Sequence, residues 1–81
     1  MRQIIFENFA IETRFIISVD AHIFYNNNLT EYGVRIVMIT GKEYFFSTGL
    51  KSDGKVGLIH AEKIVNEWVK SGKLNLDGLK I

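Results

Sequence analysis

The sequence predicts an α+β domain: an antiparallel sheet of three to five strands with one C-terminal amphipathic helix packed on one face. Three observations indicate this fold. Residues 14–25 alternate between apolar and polar side chains, strand-like segments flank a Gly41-Lys42 turn, and apolar residues recur at helical spacing from Leu58 to Ser71. A chain of 81 residues, 47% of them hydrophobic, is enough for a single small domain that spans residues 1–81.

Two strands are expected before the hairpin that contains this turn. The first lies within Gln3 to Ile11, where apolar residues fit a period of two loosely. The second runs from Arg14 to Tyr25, and its polar face carries Ser18, Asp20 and His22. The three consecutive asparagines that follow favour a turn, and Gly33 is expected to close this loop before the next strand.

A β-hairpin is predicted over residues 33–49. Glycine precedes lysine at its turn, as a type II′ turn requires, and a two-residue turn would pair Thr40 with Glu43. In that register one face carries Val34, Ile36, Met38 and Phe45. The other face carries Arg35, Val37, Ile39, Tyr44, Phe46 and Thr48. Both faces are apolar in the middle, so either both are covered or one is a binding surface.

The helix is expected from Leu58 to Ser71. Its apolar stripe consists of Leu58, Ala61, Ile64, Val65 and Trp68. Gly72 is the expected C-terminal cap. The tail predicts a short edge strand at Leu74 to Leu76 before an Asp77-Gly78 turn.

Side chains that could support catalysis or hold a metal ion are few. Asp20 and His22 share a strand face, but two side chains do not complete a metal site, and the chain contains no cysteine. No base is identifiable near Ser47, Thr48 or Ser52. We therefore expect a protein that is not an enzyme and that has no cofactor.

The glycine-rich segment before the helix, residues 49–56, has the residue spacing of a phosphate-binding P-loop. Val56, however, replaces the Ser or Thr that binds magnesium, so nucleoside triphosphate binding is not expected. Backbone amides together with Lys51 and Lys55 could still hold a phosphate group. Residues 54–57 also match the GXXG loop of KH domains, but that fold places the loop between two helices and needs more chain after it, whereas here a predicted strand lies close upstream.

Several short motifs resemble a known DNA-binding domain. They are Tyr32-Gly33-Val34-Arg35, Gly41-Lys42, Phe46-Ser47-Thr48-Gly49-Leu50-Lys51, Ala61-Glu62 and Trp68. Over residues 14–71 they resemble the arm-type, AP2-like DNA-binding domain of tyrosine recombinases. The resemblance implies that a bare sheet face enters the DNA major groove, with Arg35, Tyr44 and Thr48 facing the bases and Lys42 and Lys51 meeting the backbone. The net charge of +1 departs from the basic pattern of that family.

Two functions therefore stay open. One is nucleic-acid binding through the sheet face, with Arg35, Lys42, Tyr44, Thr48, Lys51 and Lys55 as candidate binding residues. The other is a protein-interaction module, such as a phage or mobile-element inhibitor or an accessory subunit, which binds a protein partner or forms a homodimer. The first fifteen residues contain no apolar run long enough for a signal peptide or a membrane span, so we expect a cytoplasmic protein without membrane association.

Overall fold

The structure, a computed structural model, describes residues 3–6, 13–26, 29–48 and 54–80. These residues form β1 (Gln3–Ile5), a 3-10 turn (Thr13–Phe15), β2 (Ile16–Asn26), β3 (Leu29–Met38), β4 (Glu43–Ser47), α1 (Gly54–Ser71) and β5 (Lys73–Asn75). Strands β2, β3 and β4 form an antiparallel sheet in that order, and α1 packs against β2 and β3. The predicted α+β class, with an antiparallel sheet and a C-terminal helix, is confirmed.

Strand β3 begins earlier than the sequence suggests. Asn26 pairs with Leu29 and His22 pairs with Gly33, so Gly33 lies inside a strand and the expected loop up to this residue is wrong. A Cβ at Gly33 would overlap the carbonyl oxygen of Phe46. Glycine is therefore required here by the close approach of β4 to β3, not by a turn.

The turn between β3 and β4 has three residues, not two. The Met38 N–H donates to the Lys42 carbonyl at 2.8 Å, and the Gly41 N–H donates to the Met38 carbonyl at 2.9 Å. Gly41 has a φ of 92°. Ile39 and Thr40 therefore form a tight turn, and Gly41 forms the bulge that follows it. The glycine is the last residue of this loop, whereas in the type II′ turn that we expected it would be the first.

The longer turn shifts the pairing of β3 with β4 by three residues. Val37, rather than Thr40, lies opposite Glu43. Because the shift is odd, it exchanges the two faces of β4. Tyr44 and Phe46 lie on the helix side and Phe45 lies on the opposite side, so the predicted faces of β4 are inverted.

The core lies between the sheet and α1. It consists of Val34, Ile36, Met38, Phe46, Ala61, Trp68, Leu74, Leu76 and Leu79. Ile64 and Val65 pack against it as the helical spacing predicts, and Leu58 is half-buried. The helix begins at Gly54, so residues 54–57 form its first turn rather than a loop. Gly72 caps the other end with a φ of 75°, and its N–H donates to the Trp68 carbonyl at 2.9 Å, as expected.

The two chain ends add a second, smaller sheet. Strands β1 and β5 pair in parallel, with Ile4 opposite Leu74. Strand β1 covers Gln3–Ile5 of the predicted segment Gln3 to Ile11, and residues 7–11 of that segment lie outside the described residues. The expected Asp77-Gly78 turn is present, and beyond it Lys80 forms an antiparallel bridge with Ser47. In the described part of the chain, no helix combines the length and the apolarity that crossing a bilayer requires.

Candidate functional site

The open face is the side of the three-stranded sheet that points away from the core. Its described residues are Ser18, Asp20, His22 and Phe24 of β2, Glu31, Gly33, Arg35 and Val37 of β3, and Glu43 and Phe45 of β4. Alternation along each strand sends these side chains to one side of the sheet. The alternating residues Val19, Ala21, Val34, Ile36, Tyr44 and Phe46 point to the other side and pack in or against the core. The open face therefore combines aromatic rings, three carboxylates and one arginine.

Arg35 forms an ion-pair network across all three strands. Its Nε and Nη2 atoms donate to the two carboxylate oxygens of Asp20 at 3.1 and 2.8 Å, and its Nη1 atom lies 3.6 Å from Oε1 of Glu43. Asp20 lies directly opposite Arg35 in the β2–β3 register, which permits this two-pronged contact. Arg35 is thus held in place by charge on both sides.

Hydrogen bonding to Asp20 raises the pKa of Arg35. The charges of Asp20 and Glu43 add to this effect, and desolvation opposes it. Because the folded-state pKa is raised, the stabilisation is fully present below the ordinary pKa of arginine and is lost only as pH rises through the folded value. Arg35 therefore carries its charge throughout the physiological pH range.

Phe45 occupies the middle of the open face. Its ring centroid lies 5.7 Å from that of Phe24 and 6.2 Å from that of His22, the latter in an edge-on arrangement. The absence of a side chain at Gly33 leaves room for the ring, since Phe45 Cζ lies only 2.9 Å from where a Cβ would be. Phe24 is 46% exposed, so part of this aromatic cluster is accessible from solvent.

A shallow depression of about 180 Å³ lies between the aromatic rings and the ion pairs. Its lining consists of His22, Phe24, Arg35, Glu43, Tyr44 and Phe45. Pockets that enclose a drug-sized molecule are larger, about 300–1,000 Å³. This depression is suited to a single apolar side chain of a partner, with charged groups at its rim.

Of the six candidate binding residues from the sequence, only Arg35 has its described side chain on the open face. The Lys42 ammonium lies 5.1 Å from the ring centroid of Tyr44, which packs toward the core. The Thr48 hydroxyl donates to the Tyr32 carbonyl at 2.9 Å. The predicted grouping of Arg35 with Tyr44 and Thr48 on one face is therefore wrong, because the register differs.

The two remaining candidates are Lys51 and Lys55. Lys51 lies outside the described residues, and Lys55 is described only in its backbone, in the first turn of α1. The phosphate-binding role suggested for them stays a prediction. Residues 54–57 are helical, which differs from the loop that a GXXG clamp would need.

Asp20 and His22 share a face, as the alternation predicts, but each has a structural partner there. Asp20 binds Arg35, and His22 contacts the ring of Phe45. Within the described ranges, no three His, Asp or Glu side chains cluster in a way that could hold a metal ion.

Sequence reasoning missed Phe45, Phe24 and Glu43 as members of the site. The period of two in β2 contained a signal for Phe24, an apolar residue that follows Asp20 and His22 on the polar face at the same spacing. Phe45 and Glu43 lie on the open face only because the β3–β4 turn has three residues, and the sequence analysis expected two.

Comparison with known proteins gives no family for this chain. No protein-family model matches it, and no curated protein or solved structure matches it either. The resemblance to the arm-type domain of tyrosine recombinases stays a prediction from short motifs.

Proposed function

We propose that this protein is a non-enzymatic interaction module whose open face binds a partner protein. The observation that carries the proposal is the aromatic cluster of Phe24 and Phe45 beside a side-chain-sized depression. Aromatic residues and arginine are enriched at the energetic centres of protein interfaces, where a polar rim surrounds an apolar anchor. The open face has this composition.

The charges of the open face favour a protein partner over nucleic acid. Among its described residues, the carboxylates of Asp20, Glu31 and Glu43 outnumber the guanidinium of Arg35. Nucleic-acid affinity depends on cationic side chains that neutralise the phosphates, whereas these carboxylates would repel the phosphates. Arg35 already directs three of its nitrogen atoms toward carboxylates. Major-groove reading by this face would require those contacts to break.

The same charges define the chemistry of the partner. Glu43 is exposed at the rim of the depression, where it can pair with a cation as well as with Arg35. We infer that the partner inserts one apolar side chain into the depression and places a lysine or arginine beside Glu43. Such a rim contact contributes mainly to specificity and to the rate of association.

A displayed library of random peptides tests this proposal with the full chain as bait. Selected peptides are expected to carry an apolar residue next to a basic one. Phe45→Ala should weaken their binding by at least about tenfold, the loss typical of a central interface residue. Val69→Ala is the matched control, because Val69 is 76% exposed on α1 and should leave the affinity unchanged.

Two results would contradict the proposal. One is a selection whose peptides bind Phe45→Ala as tightly as the unmodified chain, once circular dichroism shows that the variant is folded. The other is binding of a duplex DNA probe at low ionic strength that weakens steeply with salt and is lost in Arg35→Gln. That second result would favour the nucleic-acid function instead.

A further inference from the structure

Strand β2 is a long strand at the edge of the sheet. In the described part of the chain it pairs with β3 on one side and with no strand on the other. It is 11 residues long and contains neither lysine nor proline, the residues that commonly protect exposed edges from pairing. The opposite edge of the sheet differs, since Lys80 bridges to Ser47 there.

The hydrogen-bond ladder identifies which backbone groups point outward from this edge. Tyr32 accepts a hydrogen bond from the Thr48 N–H, so even-numbered residues of β3 bond toward β4 and odd-numbered ones toward β2. Arg35 pairs with Asp20, and hence even-numbered residues of β2 bond toward β3. The outward groups are therefore the N–H and C=O of Val19, Ala21, Ile23 and Tyr25.

We propose that two copies of this protein pair through β2, antiparallel, about a twofold axis at Ala21. The free backbone groups of one β2 strand can form hydrogen bonds only with the free backbone groups of the other. The twofold axis must therefore place odd-numbered residues of one copy opposite odd-numbered residues of the second copy. In this register Ala21 lies opposite Ala21 of the second copy and Val19 lies opposite Ile23. Two copies of one surface patch then meet each other, as a twofold interface requires.

The side chains of β2 favour this register over the two registers next to it. With the axis at Ala21, each Asp20 lies opposite His22 of the second copy, at positions where side chains approach most closely because no backbone hydrogen bonds join them. Moving the axis by one residue in one direction would place Asp20 opposite Asp20, and like charges directly opposite destabilise a sheet. Moving it by one residue in the other direction would place His22 opposite His22 and would lose the contact between the carboxylate and the imidazole. Asp20 can accept from both neighbours, since a carboxylate has about four lone-pair sites.

The pairing would create one continuous sheet from two copies. The axis is perpendicular to the sheet, so both open faces lie on the same side and both helices lie on the other. The regular part of the interface is limited by the register shift between Ile16 and Ser18 at one end of β2. The inference does not depend on what the open face binds.

Single-cysteine cross-linking tests the register, because the chain has no cysteine of its own. Ala21→Cys should form a disulfide-linked dimer under mild oxidation, since the two Cα atoms would lie about 5.5 Å apart, within disulfide range. Val19→Cys is the matched control. Its two copies would lie roughly 13 Å apart along the strands and should not cross-link.

Sedimentation equilibrium of the unmodified chain tests the dimer without any substitution. A mass that doubles as concentration rises is expected, and His22→Asp, which places two carboxylates opposite each other, should raise the dissociation constant by about tenfold or more. His22→Lys places a cation opposite Asp20 and should preserve the dimer. A monomer at every concentration, or equal cross-linking at Val19 and Ala21, would overturn the proposal.

Discussion

Gly33 lies where β4 approaches β3 too closely for any side chain. A Cβ at this position would overlap the Phe46 carbonyl oxygen and lie 2.9 Å from both the Phe46 carbonyl carbon and Phe45 Cζ. The φ of Gly33 is not positive, so Gly33→Ala meets no backbone strain and gains about 0.4–1 kcal/mol from a less flexible unfolded chain. Overpacking costs about 1–3 kcal/mol, and the cost is at its upper end where main-chain atoms must move. We expect a net destabilisation of about 2 kcal/mol.

Thermal unfolding followed by circular dichroism measures this loss. At about 4–8 °C for each kcal/mol, Gly33→Ala should lower the Tm by about 8–16 °C. Val69→Ala is the control, because Val69 is 76% exposed on α1 and such a surface substitution should change the stability by no more than about 0.5 kcal/mol. An unchanged or raised Tm in Gly33→Ala would refute the register that places Phe45 beside Arg35.

Three further predictions concern the core, the ion pair and the turn. Trp68→Ala should cost about 3–5 kcal/mol in a denaturant titration, and a loss below 1 kcal/mol would contradict the packing of α1 on the sheet. Asp20→Asn should cost at most about 1 kcal/mol in the same assay, because the Asp20 and Arg35 side chains are 41% and 32% exposed; a larger loss would mean that the pair is shielded from solvent. Gly41→Ala should lower the Tm more than Gly41→Asn, since asparagine tolerates a positive φ better, and the reverse order would contradict the observed turn.

The helix and β2 were predictable because each has a long periodic signal. The spacing of Ala61, Ile64, Val65 and Trp68 identifies the buried side of α1, and all four pack in or against the core. The alternation from Arg14 to Tyr25 identifies the two faces of β2, and Asp20 and His22 indeed share one of them. In both elements the repeat of apolar residues extends over enough positions that one residue out of pattern does not change the prediction.

The turn at Gly41 was not predictable from local sequence. A glycine followed by a lysine suits a two-residue turn with glycine first and equally a three-residue turn with glycine last. The choice depends on whether Phe45 or Phe46 enters the core, and Phe46 does so in contact with Phe6, at a ring-centroid distance of 5.0 Å. Phe6 and Phe46 are far apart in the sequence, so the residues of the turn alone do not determine which of the two phenylalanines, Phe45 or Phe46, enters the core.

The candidate site was predictable only in part for the same reason. The sequence predicts Arg35 as a candidate binding residue, but its ion pairs with Asp20 and Glu43 depend on the alignment of three strands. A one-residue error in either alignment would move a partner to the other face of the sheet. The charge balance of the open face, which favours a protein partner, therefore emerges only from the structure.

Amide chemical-shift mapping tests most directly whether the open face binds protein. The ¹⁵N-labelled chain would be titrated with a peptide from the displayed library and, separately, with a duplex DNA probe. The proposal predicts that the peptide shifts the amides of residues 33–37 and 43–45 while those of α1 stay unchanged, and that the duplex shifts neither set. Shifts centred on α1, or open-face shifts caused by the duplex and not by the peptide, would contradict it.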